Sequence, residues 1–173
     1  MSIRVDIDRL CRGGKLVHVL PIEQWRSVER DVFASNEVWE FLQGNDPDPK
    51  FQAVGLRAYR RLETFITGKP IVFGMDPLNK RSTSLIARND EVVWGVVDVR
   101  INDPQPAVRI FGCFAEKDVL VLLLWRSRKF LQDKGFASSI RRGQSEWAAL
   151  FPQYSPFVSE NPHDYISGIF DLG

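Results

Sequence analysis

Apolar positions along the chain change period several times, and each change marks an expected element. Between residues 92 and 125 three apolar runs, 92–101, 107–115 and 118–125, are separated by the short links NDPQP and AEKD. Val, Ile and Phe dominate the runs, which suits a pleated, half-buried surface. The polar links are short, so neighbouring runs are expected to pair antiparallel as a meander. Upstream, residues 51–67 carry Phe51, Val54, Ala58, Leu62, Phe65 and Ile66 at spacings of three and four, the stripe of an amphipathic helix. Gly68 and Pro70 end that helix.

The flanks are read in the same way. Ile3, Val5 and Ile7 alternate with charged residues, so residues 1–14 are expected as a short strand or a loose arm. Residues 16–20 read as a strand stopped by Pro21. Ile22, Trp25, Val28, Val32 and Phe33 lie at helical spacing, and Ser35-Asn36 breaks that helix or caps a second one holding Val38, Trp39, Phe41 and Leu42. Residues 44–49 are a loop, 71–75 a brief extended piece, and 76–89 mostly surface loop. After the meander, 133–135 is a turn, and Ser138 or Ser139 opens a helix through Ala149. Pro152, Pro156 and Pro162 keep 151–173 irregular, with an apolar stretch at 165–172 that docks on the body. The expected fold class is α+β, an antiparallel sheet meander with helices packed on one face. One domain is expected over 1–173, with a core at about 51–130, an N-terminal helical extension (1–50) and a C-terminal helix plus tail (131–173).

Composition narrows the class without naming a function. With 44% hydrophobic and 26% charged residues, the chain is neither disordered nor fibrous. The two cysteines, Cys11 and Cys113, have no metal-like spacing, and with no signal peptide evident the expected location is cytoplasmic. The longest apolar run, 119–125, is too short to span a bilayer, so no membrane role is expected. No cofactor or metal motif is present. Charge is segregated: residues 51–142 hold 16 Lys/Arg against 9 Asp/Glu, while residues 143–173 hold 4 acids and no Lys or Arg. A basic middle segment suits a polyanionic partner; a solvated basic face is the alternative.

The helix at 51–67 followed by GKPIVFGMDPL, WGVVDVRI, PAVRIFGCF and DVLVLLLWRSRK resembles the RelE/ParE superfamily of toxins, and within it the HigB-like, phage-associated branch. Arg100 matches the first strand arginine of that pattern, Arg109 the second, and Arg126, Arg128 and Lys129 the basic end of the third strand. The resemblance implies a RelE-like fold with extensions at both ends, RNA or the ribosome as partner, and a helix-turn-helix antitoxin. It also implies an mRNA endoribonuclease activity.

Cleavage through the 2′-hydroxyl needs a base, cations for the phosphate, and an acid for the leaving oxygen. Arginine fits the second role, because its planar fork binds phosphate bidentately and stays charged. Arg109, Arg126, Arg128 and Lys129 are therefore the candidate catalytic set, with Lys129 or Lys134 able to act as a base only if neighbouring cations lower its pKa. If the third strand continues through Arg128, Arg126 and Arg128 share a face. Candidate RNA contacts are Arg57, Arg60, Arg61, Arg100, Lys134 and Trp125, the last as a stacking platform. Arg100 also has acids beside it, Asp98 and Asp103, and a structural ion pair is its alternative role. His163 or Tyr165 could fold back from the tail onto the sheet, with a surface position the alternative for His163, and His18 is expected packed or in an edge strand. No His or Tyr falls between Tyr59 and Tyr154, which opens a second reading: a non-catalytic RelE-fold module. The acidic tail, or the acidic N-terminal region, is a further candidate for covering the basic surface.

Overall fold

The most apolar run of the chain forms the centre of the sheet. β7 (Val119–Ser127) lies between β6 (Val108–Glu116), antiparallel to it, and β2 (Asp31–Ser35), parallel to it. Leu120 and Leu122 enter one core while Val119, Val121 and Leu123 enter another, so β7 is buried on both faces. A strand covered on both sides reads as a continuous hydrophobic run rather than an alternating one. The computed structural model describes residues 2–78 and 83–169, apart from the side chain of Lys134.

Outward from β6, β5 (Val96–Ile101) and β4 (Ile86–Arg88) continue antiparallel, and β3 (Phe73–Gly74) pairs parallel with β4. On the other side β1 (Leu16–His18) closes the edge antiparallel to β2. The seven-stranded order is β1-β2-β7-β6-β5-β4-β3. The class is α+β and the β5–β6–β7 meander forms as expected, but the sheet is mixed rather than purely antiparallel. Gly112 marks a β-bulge between β6 and β7, where an added Cβ would fall 2.2 Å from the Val121 carbonyl oxygen.

Helices cover both faces, not one. α2 (Asn36–Leu42) and α3 (Pro49–Ile66) pack Phe41, Val54, Leu62 and Phe65 against Val97, Val99, Ile110 and Leu122. α3 approaches α2 through Gly55, whose Cβ would lie 1.9 Å from the Phe41 carbonyl oxygen. On the opposite face α1 (Ile3–Arg12) and α5 (Phe136–Leu150) bring Ile3, Ile7, Ile140 and Trp147 onto Val96, Phe111, Cys113 and Val121. Two apolar faces on β6 and β7 require two covers, which is why the one-face expectation fails.

Other local expectations are also corrected. Residues 3–12 are helical, capped by Ser2, because Ile3, Ile7 and Leu10 share one face while Val5 points to solvent. No helix spans 22–33. There the chain is irregular, held to α3 by Tyr59 Oη donating to the Leu20 carbonyl (2.6 Å) and by Ile22 N–H donating to Glu63 (2.7 Å), until Val32–Ala34 pair with β7. The strand expected from 92 begins at Val96, after a 3₁₀ turn (Val92–Trp94) and Gly95 at φ 68°. The loop expected over 76–89 contains β4. β7 ends at Ser127, whose hydroxyl caps the single turn α4 (Arg128–Phe130); a π turn (Leu131–Gly135) then leads into α5. α5 starts at Phe136, earlier than expected, and Ser138 and Ser139 donate to the Gly135 carbonyl.

The Pro-broken tail is pinned by one aromatic and one arginine. Tyr165, in the short helix α6 (Pro162–Tyr165), stacks on Phe73 at 5.0 Å and meets Phe114 and Phe157 edge-on. Arg30 is 2% exposed and donates to the carbonyls of Phe65, Lys69 and Ser167, tying the end of α3 to the tail. The described part of the tail therefore packs beside the α3 core, and its Ser159 carbonyl and Glu160 engage Arg88. Phe170 and Asp171 lie outside the described residues. Among the described residues, no helix is long and apolar enough to cross a membrane.

Tyr165→Ala is expected to cost about 3–5 kcal/mol, the range for truncating a buried aromatic. His163→Ala, an exposed neighbour, should stay within about 0.5 kcal/mol of wild type. Urea unfolding of the two variants measures both, and equal losses would contradict the anchoring role.

Candidate functional site

Register places three arginines side by side across the meander. Arg100 on β5 is opposite Arg109 on β6, and Arg109 is opposite Arg126 on β7. Like charges directly opposite one another destabilise a sheet, so the row needs counter-charge. Asp98, two residues before Arg100 and hence on the same face, supplies it: its Oδ2 lies 3.4 Å from Arg100 Nε and 3.1 Å from Arg109 Nε. Asp76, after β3, adds a second carboxylate 2.9 Å from Arg100 Nη2. Arg109 Nη1 also donates to Asn102 Oδ1 at 2.9 Å.

Arg126 leaves this row. Its guanidinium turns to Glu37 on α2 (2.7 Å) and sits over the Phe130 ring at 6.0 Å. An acid of the N-terminal region thus pairs with one of the basic residues, Arg126.

Beneath the N-terminal half of α5 the paired residues form the floor of a cavity of about 780 Å³, lined by Asp98, Arg100 and Arg109. Arg128, Phe136 and Arg141 form one side, from α4 and α5; Asp76, Asn89, Glu91 and Trp94 form the other, from the edge strands and their links. Among the described residues, neither Arg128 nor Arg141 has a carboxylate within ion-pair distance. Buried atoms without a hydrogen-bond partner among the described residues include Asp98 Oδ1, Asp76 Oδ1 and Asn89 Nδ2.

The electrostatics follow from burial. Asp98 is 1% exposed, and burial pushes its carboxyl above the usual carboxylate range against the pull of Arg100 and Arg109. Burial lowers the pKa of Arg109 despite Asp98, and the nearby charges of Arg128 and Arg100 lower it further. For Arg100 burial acts the same way, but Asp98 and Asp76 outweigh it and its pKa rises. Arg109 is thus held mainly by burial against its charged form, with Asp98 opposing that effect and Arg128 and Arg100 adding to it.

The structure brings Arg100, Arg109 and Arg128 together and separates the other expected site residues. Lys129 is exposed on α4 and does not line the cavity, and Arg126 and Arg128 do not share a strand face because β7 ends between them. Arg57, Arg60 and Arg61 are exposed on α3, whose core covers the other face of the sheet. Trp125 is not a free platform: it stacks on Phe41 at 4.1 Å and meets Phe51 at 5.2 Å. The side chain of Lys134 lies outside the described residues. His18 sits in the edge strand, stacked on Phe33 and 3.1 Å from Asp31, and His163 is exposed. Of the acids beside Arg100, Asp98 pairs with it and Asp103 does not.

The sequence reading overlooked Asp76, Asn89, Glu91 and Arg141 as site residues. Arg141 had a usable signal, since it follows Ala137 by one helical turn beside the buried Ile140. The residues on the edge-strand links had none, because only the pairing of β3, β4 and β5 brings them to the cavity. Among the described residues, no group of three or more His, Cys, Asp or Glu is placed to hold a metal ion. No protein-family model, curated protein or solved structure matches the chain.

Between the ordinary carboxylate value and its raised native value, folded Asp98 holds a proton that the unfolded chain has already released. Its contribution to stability is full below the ordinary carboxylate pKa, about 4, and is lost as pH rises through the native value. Asp98→Asn lacks this component, so its stability relative to wild type should improve steadily as pH rises from about 4. Urea midpoints across that range measure the difference; a pH-independent difference would contradict the assignment.

Proposed function

We propose that this chain is an RNA-binding protein of the RelE/HigB-like toxin type, acting at the ribosome, which grips an RNA phosphate in the cavity under α5. The observation that carries the reading is that Arg109 on the floor and Arg128 and Arg141 on one side line the same cavity, with Arg128 and Arg141 unpaired among the described residues. Guanidinium forks are suited to phosphate oxygens, and a recessed cationic wall concentrates a polyanion. Support also comes from the order of elements. A long helix precedes an antiparallel meander whose first two strands carry Arg100 and Arg109, and the third opens into Arg128.

Within this reading, cleavage and simple binding differ in the proton acceptor. Asp98 is buried beside the guanidinium groups it pairs with, and among the described residues no His or Tyr lines the cavity. That observation favours the second reading, a RelE-fold binding or phage-associated module, over an mRNA endoribonuclease. Burial of Asp98 leaves it a positioning group that fixes Arg100 and Arg109.

Binding of labelled single-stranded RNA by fluorescence anisotropy tests the proposal. Wild type should bind with a steep salt dependence, and Arg128→Glu with Arg141→Glu should weaken binding about tenfold or more and flatten the salt slope by about one unit per lost phosphate contact. Arg57→Glu with Arg61→Glu, on the other face, should cost much less. Equal losses, or no salt-dependent binding by wild type, would overturn the reading. Gel analysis of the same RNA after incubation separates a nuclease from a binder.

A further inference from the structure

The cavity is not uniformly basic. Its lining includes Arg88, Arg100, Arg109, Arg128 and Arg141, but also Asp76, Asp90, Glu91 and Asp98. These charges are separated in space by the topology. The unpaired cations come from the β7 exit and α5. The acids without an ion-pair partner among the described residues, Asp90 and Glu91, come from the link between β4 and β5. Arg88, beside the acidic end, and Arg100, on the floor, are already engaged. Arg100 lies between Asp76 and Asp98, and Arg88 donates to the Ser159 and Met75 carbonyls and to Glu160.

A purely phosphate-binding groove has no use for free carboxylates at its rim, because they repel the ligand. A ligand with an anion at one end and hydrogen-bond donors at the other matches both ends. The acidic end carries further features of such a contact. Trp94, half-buried in the same link and packed against the second core, also lines the cavity, and Phe136 lines it from the helix side. Asn89 is 5% exposed, lines the cavity and has an amide nitrogen without a partner among the described residues. The volume, about 780 Å³, is within the range of small-molecule sites.

Resting on the RNA reading above, we infer that the 89–94 link reads the base attached to the gripped phosphate, and that the base it prefers is guanine. Guanine alone among the four RNA bases presents adjacent N1–H and N2–H donors on its Watson–Crick edge, which one carboxylate accepts together. Uracil presents a single N–H between two carbonyl oxygens, and a carboxylate repels those oxygens. Single-stranded RNA is commonly recognised this way, with a base stacked on an aromatic ring and hydrogen-bonded along its edge. Glu91 or Asp90 takes the guanine donors, Trp94 stacks the ring, and Arg128 and Arg141 hold the phosphate.

The test uses the full chain and two labelled RNAs, an oligo(U) strand and the same strand with its central uridine replaced by guanosine. The guanosine strand should bind about tenfold more tightly, the scale of one good base-edge contact. In the Asp90→Asn, Glu91→Gln double variant, loss of two repelling charges should raise oligo(U) affinity while the guanosine advantage disappears. Both side chains are exposed, so the fold should survive, and circular dichroism checks it. Trp94→Ala should weaken both strands. Equal affinity for the two strands in wild type, or a guanosine advantage that persists in the double variant, would overturn the inference while leaving the RNA reading intact. Failure of either strand to bind in a salt-dependent way would overturn the RNA reading itself.

Discussion

The row Arg100–Arg109–Arg126 across β5, β6 and β7 is the constraint around which the polar half of this molecule is arranged. Three like charges in lateral register would push the strands apart if left alone. The chain resolves the conflict in two ways. Asp98 and Asp76 neutralise Arg100 and Arg109 on the sheet surface, and Glu37 draws Arg126 away towards α2. Neutralisation by a buried carboxylate is costly, since desolvation works against the charged form of Asp98. An apolar row would have been simpler to bury, so the charges here cost stability relative to a hydrophobic alternative.

The location of the row follows from the hydrophobic core. β6 and β7 are buried on both faces along most of their length, which leaves no place for a charge except where the strands emerge from the two cores. The bulge at Gly112 contributes here. Leu123 and Leu124 both join the second core, and the strand then presents Trp125 to the first core beside Phe41. On the other side the same core geometry holds the tail, because Tyr165 completes an aromatic group with Phe73, Phe114 and Phe157. The tail is thus a structural element of the α3 face, and it reaches the cavity through the contacts of Ser159 and Glu160 with Arg88.

How far the sequence disclosed this depended on whether a signal was local. β5, β6, β7 and α3 were legible because each carries its own period. α1 was misread because Ile3, Val5 and Ile7 fit a period of two as well as they fit one helical face, and only the burial of Ile3 and Ile7 decides. The opposite error occurred at 22–33. Apolar spacing there suggested a helix, yet Trp25 is 79% exposed and the stretch is held by polar contacts to α3. Arg109 and Arg128 could be named from their places at strand ends, whereas Asp76, Asn89 and Glu91 acquire their roles only through the β3–β4–β5 pairing. Lateral register is not written in any single segment, and neither is the company it creates.

That same register explains why the cavity has two ends of opposite character. The central strands deliver their charges from the end of a long apolar run, where the chain turns into α4 and α5 and cationic residues extend into water. The edge strand β3 and its neighbour β4 are only 2 and 3 residues long, and Asp76 after β3 and residues 89–91 after β4 line the same space. Short edge strands are a common way to limit unwanted pairing, and here they also bring polar loop residues close to the centre of the sheet. A fold with long edge strands would have placed those links well beyond the arginines. The two-ended cavity is thus a consequence of strand length, which connects the patterning of the chain to the kind of ligand it can hold.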